Sequence, residues 1–316
     1  MENLNLVDIA CQFNEEKEAQ ARIFLEKLRW PNGVVCPHCG IVGEAYRLQP
    51  STKGKKHKHV RKGVWKCSPC KEQFTVTVGT IFEDSHIPLS KWLFAYYFLC
   101  SSKKGMSAHQ LHRMLGVTYK SAWFMAHRIR YTMRAEPLRS KLKGVVEVDE
   151  TYVGGKRKGP GRPGVESNKA PVVSLVERKG RVRSFHVDRV TSTNLREIMT
   201  ENIWPSAGIM TDDFKSYGFV RKGFASHDVI DHSSGKYVRR SKGKVIHTNT
   251  AENFFSILKR GVIGVYHHWS KKHLHRYLSE FDFRYNARET TDGERTAKAI
   301  RGAEGKRLTY RKPVSI

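Results

Sequence analysis

At 316 residues the chain has room for two or three small domains. Its formal net charge of +27 self-repels unless a polyanion neutralises it, which makes DNA or RNA the natural partner and leaves a ribosomal or membrane-surface protein as the plain alternative. Apolar residues make up 39%, no run approaches the ~20 apolar residues of a membrane span, and the opening residues lack the basic and apolar regions of a signal peptide, so the expectation is a cytoplasmic, nucleoid-associated protein with no membrane partner.

Residues 14–30 carry Ala19, Ile23, Phe24 and Leu28 with charges between, the period of a packing helix, and Pro31-Asn32-Gly33 ends it. This helical segment, residues 1–33, introduces a stretch from 34 to 82 that holds four of the six cysteines. A reducing compartment argues against disulfides, and Cys36, Cys39, Cys67 and Cys70 fall in two Cys-x-x-Cys knuckles. Four thiolates close a tetrahedral Zn²⁺ site at about 2.3 Å per bond, and one structural zinc would fold a segment too short for its own core. A redox pair or an iron–sulfur centre shares the spacing. Between the knuckles, Lys55, Lys56, Lys58, Arg61 and Lys62 form a basic loop placed either to meet phosphates or simply to be solvated. Phe74 to Val78 alternates as a strand.

Residues 83–135 read as helical. Ser90 to Cys100 is aromatic-rich, and such a stripe is a core element rather than a base-stacking platform. Ala108 to Leu115 and Tyr119 to Arg130 are two helices around Gly116-Val117-Thr118, which fits a helix-turn-helix or an ordinary helical hairpin. In the first reading Lys120 enters a groove while Arg128 and Arg130 touch the DNA backbone.

After a basic linker, residues 144–290 carry α/β patterning. Gly144 to Gly155 is a strand with three carboxylates, Glu147, Asp149 and Glu150. Either it is an edge strand with a solvated acidic face or Asp149 is a ligand on a central strand. By alternation Asp149 shares a face with Glu147, and Glu150 points away. Lys156, Arg157, Lys158 and Arg162 follow in a Gly/Pro loop suited to gripping nucleic acid. Two strands, Pro171 to Glu177 and Arg181 to Val187, form a hairpin at Lys179-Gly180; Thr191 to Asn202 is a helix capped by Ser192 or Thr193. Ile209 to Asp213 is a short strand running into acid, where Asp212 is either a helix cap or a site residue.

From His247 the chain becomes a helix with Ala251, Phe254, Phe255 and Leu258 inward, capped by Thr248 or Asn249. Glu252 and Lys259 flank that apolar face two turns apart, with Arg260 beside the lysine. Asp149, Asp212 and Glu252 together form an oxygen-only set suited to Mg²⁺ or Mn²⁺, and two such ions would serve phosphodiester chemistry. His267 and His268 either contact the scissile DNA or simply pack or are solvated. The helix holding Leu274, Tyr277, Leu278, Phe281 and Tyr285 should cover the sheet, and residues 291–316 read as a loose basic tail.

Trp30 to Gly40 (WPNGVVCPHCG), Phe74 to Phe82 (FTVTVGTIF), Val146 to Gly155 (VEVDETYVGG) and the Glu252 helix resemble, in this order, bacterial insertion-sequence transposases of the ISXO-like group. The likeness spans about residues 12 to 290. It implies an N-terminal zinc ribbon, a helical DNA-binding segment and a ribonuclease-H-like domain whose acidic triad is Asp149, Asp212 and Glu252, with Lys259 following the glutamate. It further implies an enzyme that cleaves and joins DNA strands with Mg²⁺ or Mn²⁺. Its partners would be the double-stranded terminal repeats and target DNA, bound as a homo-oligomer. A DNA-binding regulator without chemistry and a ribonuclease-H-like resolvase remain the other readings.

Overall fold

The computed structural model describes residues 5–13, 17–49, 62–134, 140–154, 169–231, 238–241 and 243–309. They divide into two units, one of residues 1–102, 108–133 and 290–316, the other of 103–107 and 134–289.

In the first unit, α1 (Leu6–Gln12) opens with a capping box between Asn5 and Asp8, and α2 (Glu18–Arg29) follows. A three-stranded antiparallel sheet comes next, β1 (Ala45–Arg47), β2 (Trp65–Cys67) and β3 (Gln73–Phe74), in the order 1-2-3. The residue after each knuckle takes a left-handed conformation, Gly40 at φ 77° and Lys71 at φ 63°. Each turns its N–H back onto the carbonyl of the first knuckle cysteine, Gly40 to Cys36 at 2.9 Å and Lys71 to Cys67 at 3.1 Å. Glycine does this freely, whereas the lysine gives up roughly 1–2 kcal/mol to hold the same turn.

The turns bring the four sulfurs together. All lie within 4.8 Å of one another, with Cys36–Cys70 and Cys39–Cys67 each at 3.6 Å. A tetrahedron with 2.3 Å Zn–S bonds has edges of about 3.8 Å, so the set fits zinc. Burial raises the Cys36 thiol, but the amides of Cys39 and His38 more than offset it and leave it at about 7. At Cys67 the Cys70 amide favours the thiolate, yet burial and the other three cysteine side chains push the group up to about 12. Four thiolates therefore need a cation between them.

The strand expected from Phe74 to Val78 stops at Phe74. Thr75 and Thr77 share a hydroxyl bond of 2.7 Å, and the N–H groups of Val78 and Thr80 turn back to the carbonyls of Thr75 and Thr77. Threonine hydroxyls compete locally with ladder pairing, and the alternation survives only as the burial of Phe74 and Val76.

α3 (Leu89–Ser101) buries ten of its 13 residues, so it is the central helix of the unit, as its aromatic stripe suggested. Pro88 supplies no side-chain cap, and Glu18 of α2 reaches over instead, accepting the N–H groups of Leu89 at 2.7 Å and Ser90 at 3.1 Å. α4 (Ala108–Leu115) and α5 (Tyr119–Thr132) flank a turn at Gly116, with the Thr118 hydroxyl accepting the Ser121 N–H at 3.1 Å.

The second unit is a three-layer α/β arrangement. β4 (Val145–Val153), β5 (Ala170–Glu177) and β6 (Val182–His186) run antiparallel in turn. α6 (Ser192–Asn202) then crosses to β7 (Gly208–Thr211), which lies parallel to β4 on its other side. Thr191, rather than Ser192 or Thr193, caps α6, because its hydroxyl accepts the Asn194 N–H at 3.2 Å. After α7 (Val220–Gly223), β8 (Ser226–Val229) extends the parallel side, giving the order β6-β5-β4-β7-β8 with β4 in the middle. β9 (Arg239–Ser241) and β10 (Lys244–Ile246) form a separate two-stranded pair leading into α8 (Asn249–Gly261).

Alternation divides the apolar residues of the sheet. Val146, Val148, Val173 and Leu175 pack with Leu195, Met199 and Tyr217 on one face. Val153, Val172, Val176 and Val182 pack with Phe254, Phe255 and Leu258 of α8 on the other. α9 (Leu274–Asn286) joins the second layer through Leu274, Tyr277, Leu278 and Phe281, covering the sheet as its period required. A short π-helix, Val262–Tyr266, continues α8.

The described part of the expected loose tail, residues 291–309, is not loose, and 310–316 lie outside the described residues. Asp292–Arg301 form α10, opened by a capping box between Thr291 and Glu294 and returned to the first unit. Ala297, Ala299 and Ile300 are buried, and Glu304 takes a bidentate pair from Arg29. Small apolar residues carry this helix, and charge between them hides its period. No helix among the described residues is long and apolar enough to cross a membrane.

The sulfur geometry predicts about one zinc per chain by elemental analysis of purified protein. Cys67→Ser should lose that metal together with the folded ribbon, read as the loss of exchange protection in β1 to β3 while the second unit keeps its own.

Candidate active site

β4 has to accommodate three carboxylates at the centre of a sheet, and it treats them differently. Glu147 is fully buried and faces the N-terminus of α8, where it accepts the backbone N–H groups of Thr250 and Ala251. Glu150 points to the opposite face, where the Tyr217 hydroxyl donates to it at 2.6 Å. Burial nevertheless holds Glu150 above its ordinary range, the Tyr217 bond works against that, and the charge of Asp212 adds to it. Asp149 shares the face of Glu147, so the alternation argument holds.

Asp149 is half-buried and paired in register with Ser174 of β5. Its Oδ1 accepts the Glu150 N–H at 2.7 Å. Burial is the main cause that raises it to about 7; the Glu150 amide opposes the rise, and the charges of Glu150, Asp212 and Glu252 add to it. Asp149 thus feels the charges of Asp212 and Glu252 from two other elements.

Asp212 follows β7. The parallel register pairs Glu147 with Met210, and carried two residues further it sets Asp212 across from Asp149. Asp212 also accepts the Phe214 N–H at 3.1 Å, so the turn-capping role open in the sequence is present beside its place near Asp149. Glu252 stands in the first turn of α8, exposed, 3.5 Å from the Thr248 hydroxyl. Among the described residues only the four cysteines gather their donor atoms within 4.8 Å; the three carboxylates are more widely spread.

Lys259 and Arg260 are exposed in the last turn of α8, and His267 and His268 are exposed just beyond the π-helix. Lys120 and Lys62 are exposed. Lys55, Lys56, Lys58 and Arg61, and Lys156, Arg157, Lys158 and Arg162, lie outside the described residues.

Arg128 and Arg130 face inward, against the expectation that they touch a DNA backbone. They are 7% and 2% exposed. Arg128 spends its guanidinium on the carbonyls of Ile81 at 2.6 Å, Glu83 at 3.1 Å and Leu308 at 3.0 Å, over the Phe124 ring. Its helical position put it beside the polar face, and only the three chain segments folded around it reveal that the charge is consumed internally.

Two residues that tie the sheet to its covering layers, Tyr217 through Glu150 and Asp282 through Ser184, carried no sequence signal. Tyr217 had no motif around it. Asp282 of α9, also raised to about 7 by burial against its Ser184 bonds, looked like one more charge on an amphipathic helix.

Residues 141–286 match the family of the ISXO2-like transposase domain, and residues 16–73 match the transposase zinc-ribbon domain. A protein of Halobacterium salinarum (strain ATCC 700922 / JCM 11081 / NRC-1), described as an uncharacterized protein in transposable element ISH50, is 28% identical over 284 residues, covering 84% of this chain and 90% of its own. The crystal structure of the Mos1 strand transfer complex aligns over 66% of this chain and 73% of its own at 11% identity, with a TM-score of 0.27. That of a pre-cleavage Mos1 transpososome aligns over 59% and 75% at 10% identity, with a TM-score of 0.17. Neither likeness is high enough to bear on this fold. The chain thus carries, in this order, a match to the transposase zinc-ribbon domain and a match to the ISXO2-like transposase domain.

Proposed function

We propose that the second unit is a ribonuclease-H-like catalytic domain that cleaves and joins DNA strands with the triad Asp149, Asp212 and Glu252. The sheet order supports this reading: three antiparallel strands with the first at the centre, then two strands parallel to it on its other side. The observation that carries it is the state of Asp149, lifted to about 7 by burial and then by the charges of Glu150, Asp212 and Glu252. A buried acid whose neighbours are further acids is short of positive charge, and an oxygen-only set of this kind suits Mg²⁺ or Mn²⁺. Asp149, Asp212 and Glu252 would hold two such ions, which when bound stabilise charge on the attacking and leaving oxygens of a phosphodiester.

The chain's own contribution is placement. Asp149 stands on the most constrained strand of the sheet, Asp212 beside it at a strand end, and Glu252 on a helix packed over the same face. Lys259 and Arg260 lie two turns along from Glu252, where they meet the phosphates flanking the reacting one. In the first step water attacks the phosphodiester at the element end and the displaced 3′-oxygen leaves as a hydroxyl. In the second that 3′-OH attacks target DNA, displacing a target 3′-oxygen. The exposed start of α5, with Tyr119 and Lys120, is the surface of the first unit that would engage terminal repeats.

Strand cleavage of a duplex carrying the element end, assayed in Mg²⁺, tests the proposal. Asp149→Asn should lower the rate at least about 10³-fold, a loss of about 4 kcal/mol of transition-state stabilisation. Equal activity of wild type and variant would remove the triad. Duplex binding without cleavage in either metal would point to a regulator, and cutting of branched DNA without strand joining to a resolvase.

Asp149 also predicts a pH dependence. Its folded-state pKa is about 7 against an ordinary 3.8, so the folded state holds that proton more tightly than the unfolded chain. Stability of the zinc-loaded protein without Mg²⁺ should therefore fall as pH rises from about 4 to about 7. Denaturant midpoints across that range should show the slope, and Mg²⁺ should reverse the loss at pH 8. In Asp149→Asn the slope should shrink to what Asp282 and the other raised groups leave.

A further inference from the structure

Glu147 has no exposure to solvent, yet it makes contacts with two separate pieces of chain, Arg178 and residues 247–251. Its Oε2 accepts the N–H groups of Thr250 at 2.8 Å and Ala251 at 3.1 Å. Its Oε1 accepts the Thr250 hydroxyl at 2.9 Å and the Arg178 Nε at 2.7 Å, and His247 Nδ1 lies 3.2 Å away. The first N–H groups of a helix have no intrahelical acceptor, and the Thr248 side chain, in the capping position of α8, makes no capping bond. The cap comes from the sheet instead. A carboxylate there also meets the positive end of the helix dipole. Arg178 extends the grip, donating to the carbonyls of Val245 at 2.7 Å and His247 at 2.9 Å on the segment that enters the helix.

One carboxylate thus joins the strand two residues before Asp149 to the helix one residue before Glu252. Mg²⁺ accepts only near-ideal geometry at about 2.0–2.1 Å, while apolar attraction is non-directional and does not by itself set a helix to that precision. We propose that Glu147 is a positioning residue that sets Glu252 against Asp149 by capping α8 from the sheet. The proposal rests on the reading of Asp149 and Glu252 as metal-holding groups. Stability alone is a poor reason for the arrangement, because a buried ion pair is often matched by well-packed apolar residues, and valines flank Glu147 on both sides.

The test follows Mn²⁺ binding to the zinc-loaded full chain by the resonance signal of free Mn²⁺, together with the Mg²⁺ dependence of cleavage. Glu147→Gln should weaken Mn²⁺ binding about 10–100-fold and raise the Mg²⁺ half-saturation alike, with the cleavage rate recovering at saturating Mg²⁺. In a Glu252→Gln background the same change should add nothing, because Glu147 acts through Glu252. Wild-type metal affinity in Glu147→Gln, or an equal further loss in the Glu252→Gln background, would overturn the proposal. Hydrogen exchange on the wild-type chain tests the cap without any variant: the Thr250 and Ala251 amides should be as protected as the middle of α8, and fast exchange there would end it. If Asp149→Asn binds Mn²⁺ as wild type does, the metal site itself is wrong and the proposal falls with it. If Asp149→Asn loses the ion while Glu147→Gln keeps it, only the positioning role fails.

Discussion

An ionised carboxylate cannot be left alone in the middle of a sheet, because its lost hydration has to be replaced by hydrogen bonds or opposite charge. β4 carries three such groups, and the second unit is arranged around their separate solutions. Glu147 is satisfied by Arg178 and a helix N-terminus, and Glu150 by the Tyr217 hydroxyl. Among the described residues Asp149 accepts one amide, that of its neighbour Glu150, and has further acids around it. A strand that answers two of its carboxylates with protein groups, and surrounds the third with negative charge, is the ground for the proposal that Asp149 holds a cation.

The same device appears in both units. α3 and α8 are the helices that fill their respective cores, and neither has a side-chain cap from its own preceding residue. Glu18 caps the first and Glu147 the second, each from an element distant in sequence. A local cap stabilises a helix wherever the helix lies. A cap from another element stabilises it only in one place, which converts a contribution of about 1 kcal/mol into a constraint on packing. In the second unit that constraint is the one proposed to set Glu252 against Asp149.

Features set by local chemistry were readable from the residues. The two knuckles, the hairpin at Lys179, the face shared by Glu147 and Asp149, and the inward sides of α8 and α9 all follow from spacing and period. Features set by distant partners were not. Thr248 and Asn249 looked like sufficient caps for α8, and nothing near them announces Glu147. Arg128 and Arg130 looked like surface cations because helical period cannot report that Ile81, Glu83 and Leu308 will converge on one guanidinium. α10 was hidden by its alanines, whose small apolar contribution is outweighed by the charges between them. Asp212 was visible as an acid at a strand end, but its relation to Asp149 needed the parallel register of β7 on β4.

The central claim is that Asp149, Asp212 and Glu252 together hold divalent ions at a DNA end. Anomalous scattering from Mn²⁺ in crystals of the full chain bound to an element-end duplex measures this directly. The account predicts two peaks in contact with the carboxylates of Asp149, Asp212 and Glu252 and with the scissile phosphate. Peaks confined to other acids, or a scissile phosphate seated away from these three with no ion beside it, would contradict it.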